Sequence, residues 1–197
     1  MIKEDHMYKI IVLIGKSASG KDSIIQKLHA NFNIPIIISH TTRPKRESEL
    51  DGCEYWFVSD DYFEQEKENF IEQRLYKTKG KDGSVQIWRY GVHEKDVKEG
   101  TNLVILDPQG LEEFKKYFGK ENIFTFYIHA NNCTRLNRLI ERGDMNNPLE
   151  VARRMDSDEE DFKDFIESRN YYKVCNEYSI DLAVEEIEGV LKRRGLI

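Results

Sequence analysis

Gly15-Lys16-Ser17-Ala18-Ser19-Gly20-Lys21-Asp22 lies between the apolar run Lys9–Ile14 and a stretch, Lys21–Phe32, that carries Ile24, Leu28 and Phe32 at helical spacing. A G-x-x-x-x-G-K pattern between a strand and a helix is the signature of a phosphate-binding loop. Glycines let the backbone curl so that its N–H groups converge on phosphate oxygens, and the helix N-terminus adds partial positive charge. Gly15, Lys16, Ser17, Ala18, Ser19, Gly20, Lys21, Asp22 and Ser23 therefore form the candidate triphosphate site, with Lys21 reaching the outer phosphates as a point charge. The position after the lysine usually holds Ser or Thr; here it holds Asp22, with Ser23 next. A carboxylate is a hard oxygen donor, so Asp22 is the candidate Mg²⁺ ligand, directly or through water, and strict metal dependence is expected.

Outward from the loop, strands alternate with helices. Lys9–Ile14 has the continuous apolar character of a strand covered on both faces, and Ile34–Ser39 reads as a second strand. From Ser39 to Glu99 the chain turns charged and aromatic: a strand at Tyr55–Val58, a helix capped by Ser59, and strands Phe70–Lys77 and Ser84–Tyr90 joined over the turn-rich Lys79–Gly83. This region reads as an inserted lobe. The α/β rhythm resumes with a strand Leu103–Leu106 ending at Asp107, a helix near Leu111–Phe118, a strand Ile123–Ile128 and a helix near Cys133–Arg142 with Leu136, Leu139 and Ile140 on one side. Asn147-Pro148-Leu149-Glu150 is a helix start with Asn as cap, and the last helix, Leu182–Arg194, carries Ala183, Ile187, Val190 and Leu191 as its apolar stripe. The acidic run Asp156–Asp161 reads as a solvated helix face. Strands separated by helices predict an α/β fold with a parallel sheet covered on both faces.

Composition narrows the functional classes. With 39% hydrophobic and 34% charged residues, 197 residues suit one substantial core. The net charge of −6 argues against a general nucleic-acid binder, and the longest apolar runs are too short to span a membrane. Met1–His6 lacks the apolar stretch of a signal peptide; Met7 is an alternative start. Cys53, Cys133 and Cys175 are scattered, which predicts reduced thiols in a cytoplasm rather than disulfides or a zinc site. A monomer or homodimer is expected.

Ser39–Phe57 is the second informative stretch. Arg43 and Arg46, with Tyr55, can clamp a dianionic phosphate, because the planar guanidinium makes paired charge-assisted bonds, and Glu49 can orient them. Read alone, the same charges also suit a solvated surface. The stretch, however, matches S-x-T-T-R-x-x-R-x-x-E-x-x-G-x-x-Y-x-F at every fixed position, and with the phosphate loop upstream the chain resembles guanylate kinases from Lys9 to about Leu191. The resemblance implies transfer of the γ-phosphoryl group of ATP to GMP or dGMP with Mg²⁺. It implies that Arg43, Arg46, Tyr55 and Tyr90 bind the GMP phosphate with Glu49 beside them, that Glu72 and Ser39 meet guanine, and that Asp107, in a D-x-Q-G motif, lies near the base. Glu72 suits guanine, since a carboxylate accepts from both N1–H and the 2-amino group. Two departures stand out: Val92 replaces the family's Ser or Thr after Tyr-Gly, and the segment between Glu72 and Tyr90 is longer than usual, around Lys77–Gly83.

Arg138-Leu139-Ile140-Glu141-Arg142-Gly143 resembles the family's R-L-x-x-R-G lid motif, and Arg154 the later lid arginine, with Arg153 adjacent. With Lys21, the arginines Arg138, Arg142 and Arg154 are the implied catalytic set, supplying positive charge to the transferring group once a lid closes. Asn176 resembles an asparagine near the adenine of ATP; Arg135 has no matched role. The implied fold is a P-loop parallel sheet with helices on both faces, divided into a core (1–38, 101–137 and 165–197), a mixed α/β GMP-binding lobe (39–100) and a helical lid (138–164). The rival readings are a kinase for another small phosphorylated acceptor, such as a ribose phosphate, and a non-catalytic module of the same fold that binds phosphopeptides.

Overall fold

A computed structural model of the chain describes residues 8–46, 49–79, 84–142 and 148–197. In chain order its main elements are β1 (Tyr8–Ile14), α1 (Lys21–Phe32), β2 (His40–Thr41), β3 (Trp56–Phe57), α2 (Asp60–Gln65), β4 (Phe70–Lys79), β5 (Val85–His93), β6 (Gly100–Ile105), α3 (Pro108–Phe118), β7 (Ile123–His129), α4 (Asn132–Glu141), α5 (Pro148–Ser168), β8 (Tyr172–Cys175) and α6 (Ile180–Arg193).

The strands form two sheets. One is parallel throughout, in the order β6-β1-β7-β8, with Ile11 opposite Leu103 on one side and Phe124 on the other. The unbroken apolar sequence of β1 has its reason here: Ile10–Ile14 are fully buried, and alternate side chains enter different cores. Ile11 and Leu13 pack with Ile24 and Leu28 of α1 and Ile187 and Leu191 of α6. Ile10, Val12 and Ile14 pack with Leu111 and Phe114 of α3 and Phe162 of α5. Both faces are thus covered, as the alternation of strands and helices predicts.

The second sheet, β3-β2-β5-β4, is mixed. β2 runs parallel to β3 and antiparallel to β5, and β4 and β5 form a long hairpin paired from Phe70–His93 to Lys79–Val85. Ser59 caps α2, accepting from Tyr62 N–H, and Phe63 of that helix stacks on Phe70 at 4.6 Å to seat the sheet.

Two expectations change, and one element is new. Ile34–Ser39 is not a strand: Ile36 alone bridges to Leu103, through Ile37 N–H to Leu103 O (2.8 Å) and Leu103 N–H to Pro35 O (2.8 Å). Pro35 has no N–H to continue a ladder. The proposed stripe on α4 is also different. Leu139 is buried, but Leu136 and Ile140 are exposed, because the inward face is set by Arg135, four residues before Leu139. Finally, β8 is a strand that the sequence does not announce; only Val174 of its four residues is buried, too little to stand out. Asn147 as a cap, the Gly80–Gly83 part of the hairpin turn, Gly143 and the N-terminal Met1–Met7 lie outside the described residues.

Among the described residues, no helix is long and apolar enough to cross a membrane. Cys53, Cys133 and Cys175 are exposed and unpaired.

Candidate active site

The loop after β1 reaches α1 through two residues with positive φ, Ala18 (58°) and Gly20 (97°). The second position requires glycine on two counts: the backbone is left-handed, and a Cβ there would collide with Asn176 Nδ2. At Gly15 a Cβ would stand 2.5 Å from Ile128 O, so the loop is pressed against the end of β7. Lys21 folds over this loop and donates to Gly15 O (2.7 Å) and Lys16 O (3.2 Å). Burial pulls its pKa below the ordinary lysine value. Asp22 and Ser23, at the start of α1, are exposed.

Three side chains fasten the loop from behind. Asn176, fully buried, donates to Ser19 O (2.8 Å). Arg138 donates to Asn176 O (2.8 Å) and to the carbonyls of Ala18 and Ser19 (3.3 Å each). Arg135, also fully buried, donates to Ser17 O (2.8 Å) and pairs with Asp158 of α5. The Asp158 carboxylate in turn accepts from Ser17 N–H (2.9 Å) and Ser17 Oγ (3.2 Å). Asp158 therefore does not belong to a solvated face, contrary to the expectation for the acidic run Asp156–Asp161. It is turned inward because Arg135 and Ser17 offer it three donors. Lys16 also pairs with α5, through Glu159 at 2.5 Å.

Across the cleft, Arg43 and Glu49 are both buried and joined at 2.7 Å, while Arg46 N–H donates to the second Glu49 oxygen at 2.8 Å. Burial alone would raise Glu49, but these donors hold it below the ordinary carboxylate value. Arg43 lies over the rings of Tyr55 (5.4 Å) and Phe57 (5.6 Å), and Tyr55 meets Tyr90 edge to face at 5.6 Å. Burial raises the pKa of Tyr55, so its hydroxyl stays neutral and can donate.

At the far end of this wall, β4 presents Glu72, Arg74, Tyr76 and Thr78 to the cleft, every second residue of one strand face. Arg74 Nε donates to Glu72 Oε2 at 3.4 Å, and its Nη1 pairs with Asp107, the N-cap of α3. Burial, reinforced by Asp107, pushes Glu72 up to about 7, against the pull of Arg74. Burial likewise raises Asp107.

A single cleft of about 550 Å³ is bordered by both groups. Gly15, Ser17, Ala18, Lys21 and Asp22 line one side; Ser39, Arg43, Arg46, Glu49, Tyr55, Glu72, Tyr90 and Asp107 line the other; Arg142 and Arg154 border it from the end of α4 and from α5. Lys16, Ser19, Gly20, Ser23, Arg138 and Asn176 are not on its wall, and the last two hold the loop from outside. Three charged groups of the site are given no role by sequence reading. Arg135 shares an α4 face with Arg138 and Arg142 at i, i+3 and i+7, a signal that is present in the sequence. Arg74 follows Glu72 by two residues, which in a strand means the same side. Asp158 carries no local signal, since its partners are 23 and 141 residues away.

Comparison with known proteins gives one consistent answer. The family model "Guanylate kinase" matches residues 7–194. The chain is 31% identical to guanylate kinase of Clostridium tetani over 195 residues, covering 92% of this chain and 84% of that protein. It is 36% identical to guanylate kinase of Bacteroides fragilis over 140 residues, covering 68% and 66%. In structure it resembles guanylate kinase from Anaplasma phagocytophilum, with a TM-score of 0.60 and 22% identity over 96% of this chain and 87% of that one.

Proposed function

The chain belongs to the guanylate kinase family, and from that premise we propose how its cleft moves the γ-phosphoryl group of ATP to GMP. The observation that carries the proposal is the shared cleft: the Lys21 loop and the Arg43–Tyr55–Tyr90 cluster face one space rather than opposite sides of the molecule.

Loop amides and Lys21 bind the ATP phosphates. On arrival of the nucleotide, Lys21 exchanges its bonds to Gly15 O and Lys16 O for phosphate oxygens. Arg43, Arg46, Tyr55 and Tyr90 bind the acceptor phosphate, with Glu49 fixing Arg43 in its rotamer. The acceptor oxygen is already anionic, so in-line attack needs no strong general base and no covalent enzyme intermediate. Positioning and charge supply the catalysis. Arg142 and Arg154, at the cleft border, are the lid arginines nearest the transferring group. Arg138 acts through the loop, holding the carbonyls of Ala18, Ser19 and Asn176 from behind, and Asn176 sets the loop's shape and the adenine side. Ser39, Glu72 and Asp107 form the base end.

Asp22 fits a Mg²⁺ ion: it is an exposed carboxylate at the cleft wall, one residue beyond Lys21. When bound, the ion neutralises charge shared by the β- and γ-phosphates. In this reading residues 39–100 act as the GMP lobe and 138–164 as the lid on the remaining core, and the protein works in the cytoplasm as a monomer or homodimer without nucleic acid or membrane partners.

A coupled ADP-release assay across GMP, dGMP, AMP, CMP, UMP and ribose phosphates tests the assignment. Turnover confined to guanine nucleotides is expected. Turnover of a non-purine acceptor only would overturn it in favour of another small-molecule kinase, and none at all would favour a binding module.

A further inference from the structure

Arg74 stands where the departures in this sequence converge. Guanine presents two donors, N1–H and the 2-amino group, and one acceptor, O6, along a single edge. When ionised, the base-end carboxylates Glu72 and Asp107 offer acceptors only. The position after Tyr90-Gly91, which in the resembling family carries a hydroxyl, is here Val92, an apolar side chain that is fully buried and can give nothing to O6. It stands opposite Glu72 in the β4–β5 register, so the loss falls at the base end.

The guanidinium of Arg74 has the missing chemistry in the right place. It lines the cleft between Glu72 and Asp107, with Nε on the first and Nη1 on the second. Those two bonds engage Nε and Nη1 and leave Nη2 without a hydrogen-bond partner among the described residues. Gly110 makes room for it: a Cβ there would lie 2.9 Å from Nη2 and 3.4 Å from Glu72 Oε2. A cation that only neutralised two carboxylates would need neither a planar fork nor that space.

We propose that Arg74 is a specificity residue of this enzyme, donating from its guanidinium to O6 of guanine while Glu72 accepts from N1–H and the 2-amino group. The pair then reads the whole edge, carboxylate for donors and guanidinium for the acceptor. Adenine is rejected twice, since it turns a 6-amino donor toward Arg74 and offers Glu72 no matching donor pair.

The inference rests on the proposed GMP site, and its test separates the two. The kcat/KM values for GMP, 6-thio-GMP (a poor acceptor at position 6) and IMP (no 2-amino group) are measured at one pH near 7.5, where N1–H of the thione is still in place, for the wild type, Arg74→Met and Arg74→Leu, neither of which offers a donor. In the wild type, GMP is expected to exceed 6-thio-GMP by about tenfold, the worth of a charge-assisted hydrogen bond. In both variants this ratio should fall toward one while the GMP-to-IMP ratio, which reads Glu72, stays within about threefold of wild type. A 6-thio ratio unchanged in whichever variant folds overturns the proposal. So does a joint collapse of both ratios, the mark of an arginine that only positions Glu72. Absence of GMP turnover in the wild type would instead overturn the site assignment itself.

Discussion

The two walls of the cleft, proposed to bind the two phosphates, are built by different means. The loop wall is made of backbone: its shape comes from Gly15, Gly20 and the left-handed Ala18, and its surrounding side chains, Asn176, Arg138 and Arg135, bond carbonyls rather than face the ligand. The opposite wall is made of side chains bound to one another, Arg43 to Glu49, Tyr55 to Tyr90, Arg74 to Glu72 and Asp107. A backbone site depends on a few residues of special geometry. A side-chain site depends on each member and on the partner that orients it. The first can be recognised from a short motif; the second needs a long one, because its members come from several elements.

The sharpest challenge to this contrast is at Lys21, the cationic side chain that the loop turns to the cleft. Lys21→Met should lower kcat by about 10³-fold with little change in melting temperature, because it removes charge from the transition state while the amide cradle stays. A wild-type rate would remove Lys21 from the site. Excess chelator should abolish turnover as well, and near-full activity there would remove Asp22-bound Mg²⁺ from the account.

On the side-chain wall the corresponding change should harm both activity and fold. Arg43→Ala deletes a proposed phosphate contact and leaves Glu49 buried without its main partner. The expected result is about a 10²-fold loss in kcat/KM for GMP together with ~2–4 kcal/mol of stability. Steady-state kinetics and denaturant melts read the two effects. Loss of activity with stability intact would mean that Glu49 is solvated when Arg43 is gone, and the contrast between the walls would weaken.

Glu72 gives a smaller, pH-dependent effect. Its folded value of about 7 lies above the unfolded carboxyl value, so the folded state holds the proton more tightly. Two signs follow. Activity toward GMP should fall as pH drops below about 7, since a protonated carboxyl no longer accepts from both guanine donors. Stability should change the other way: this contribution is full below the unfolded value and is lost as pH rises toward 7. Glu72→Gln should remove the acid limb of the kcat/KM profile and raise the melting temperature at pH 8. A profile whose acid limb survives that substitution would assign it to another group.

The legibility of the molecule follows the same division. The phosphate loop, α1, α3, α6 and three strands of the parallel sheet, β1, β6 and β7, are readable because apolar periodicity and a glycine motif are local properties. The acceptor wall is readable as far as its long motif extends, from Ser39 to Phe57, and then only through Glu72, Tyr90 and Asp107. Arg74 escapes notice although strand alternation puts it beside Glu72. Arg135 is visible but without a role, because a basic helix face has an ordinary explanation in solvent and in the helix dipole. The strand expected at Ile34–Ser39 fails for a local reason, Pro35, that the apolar run conceals.

Asp158 offers the most delicate test, because there a side chain intrudes on the backbone wall. Its carboxylate accepts from Ser17 N–H, a loop donor that borders the cleft, while Arg135 holds it there. Burial raises its pKa, and the donors of Ser17 and Arg135 oppose that shift, so a charge that is costly to bury stands beside the triphosphate site. Asp158→Asn keeps an acceptor for the amide but removes the negative charge facing ATP. It also leaves Arg135, fully buried, without its main counter-charge. The first effect should lower KM for ATP about two- to fivefold. The second should lower stability by ~1–3 kcal/mol. KM for GMP should not move, since none of the acceptor-phosphate residues touches this pair. A rise in KM for ATP would mean that the carboxylate shapes the loop more than it repels the ligand, and the loop wall would then depend on its side chains as closely as the wall opposite.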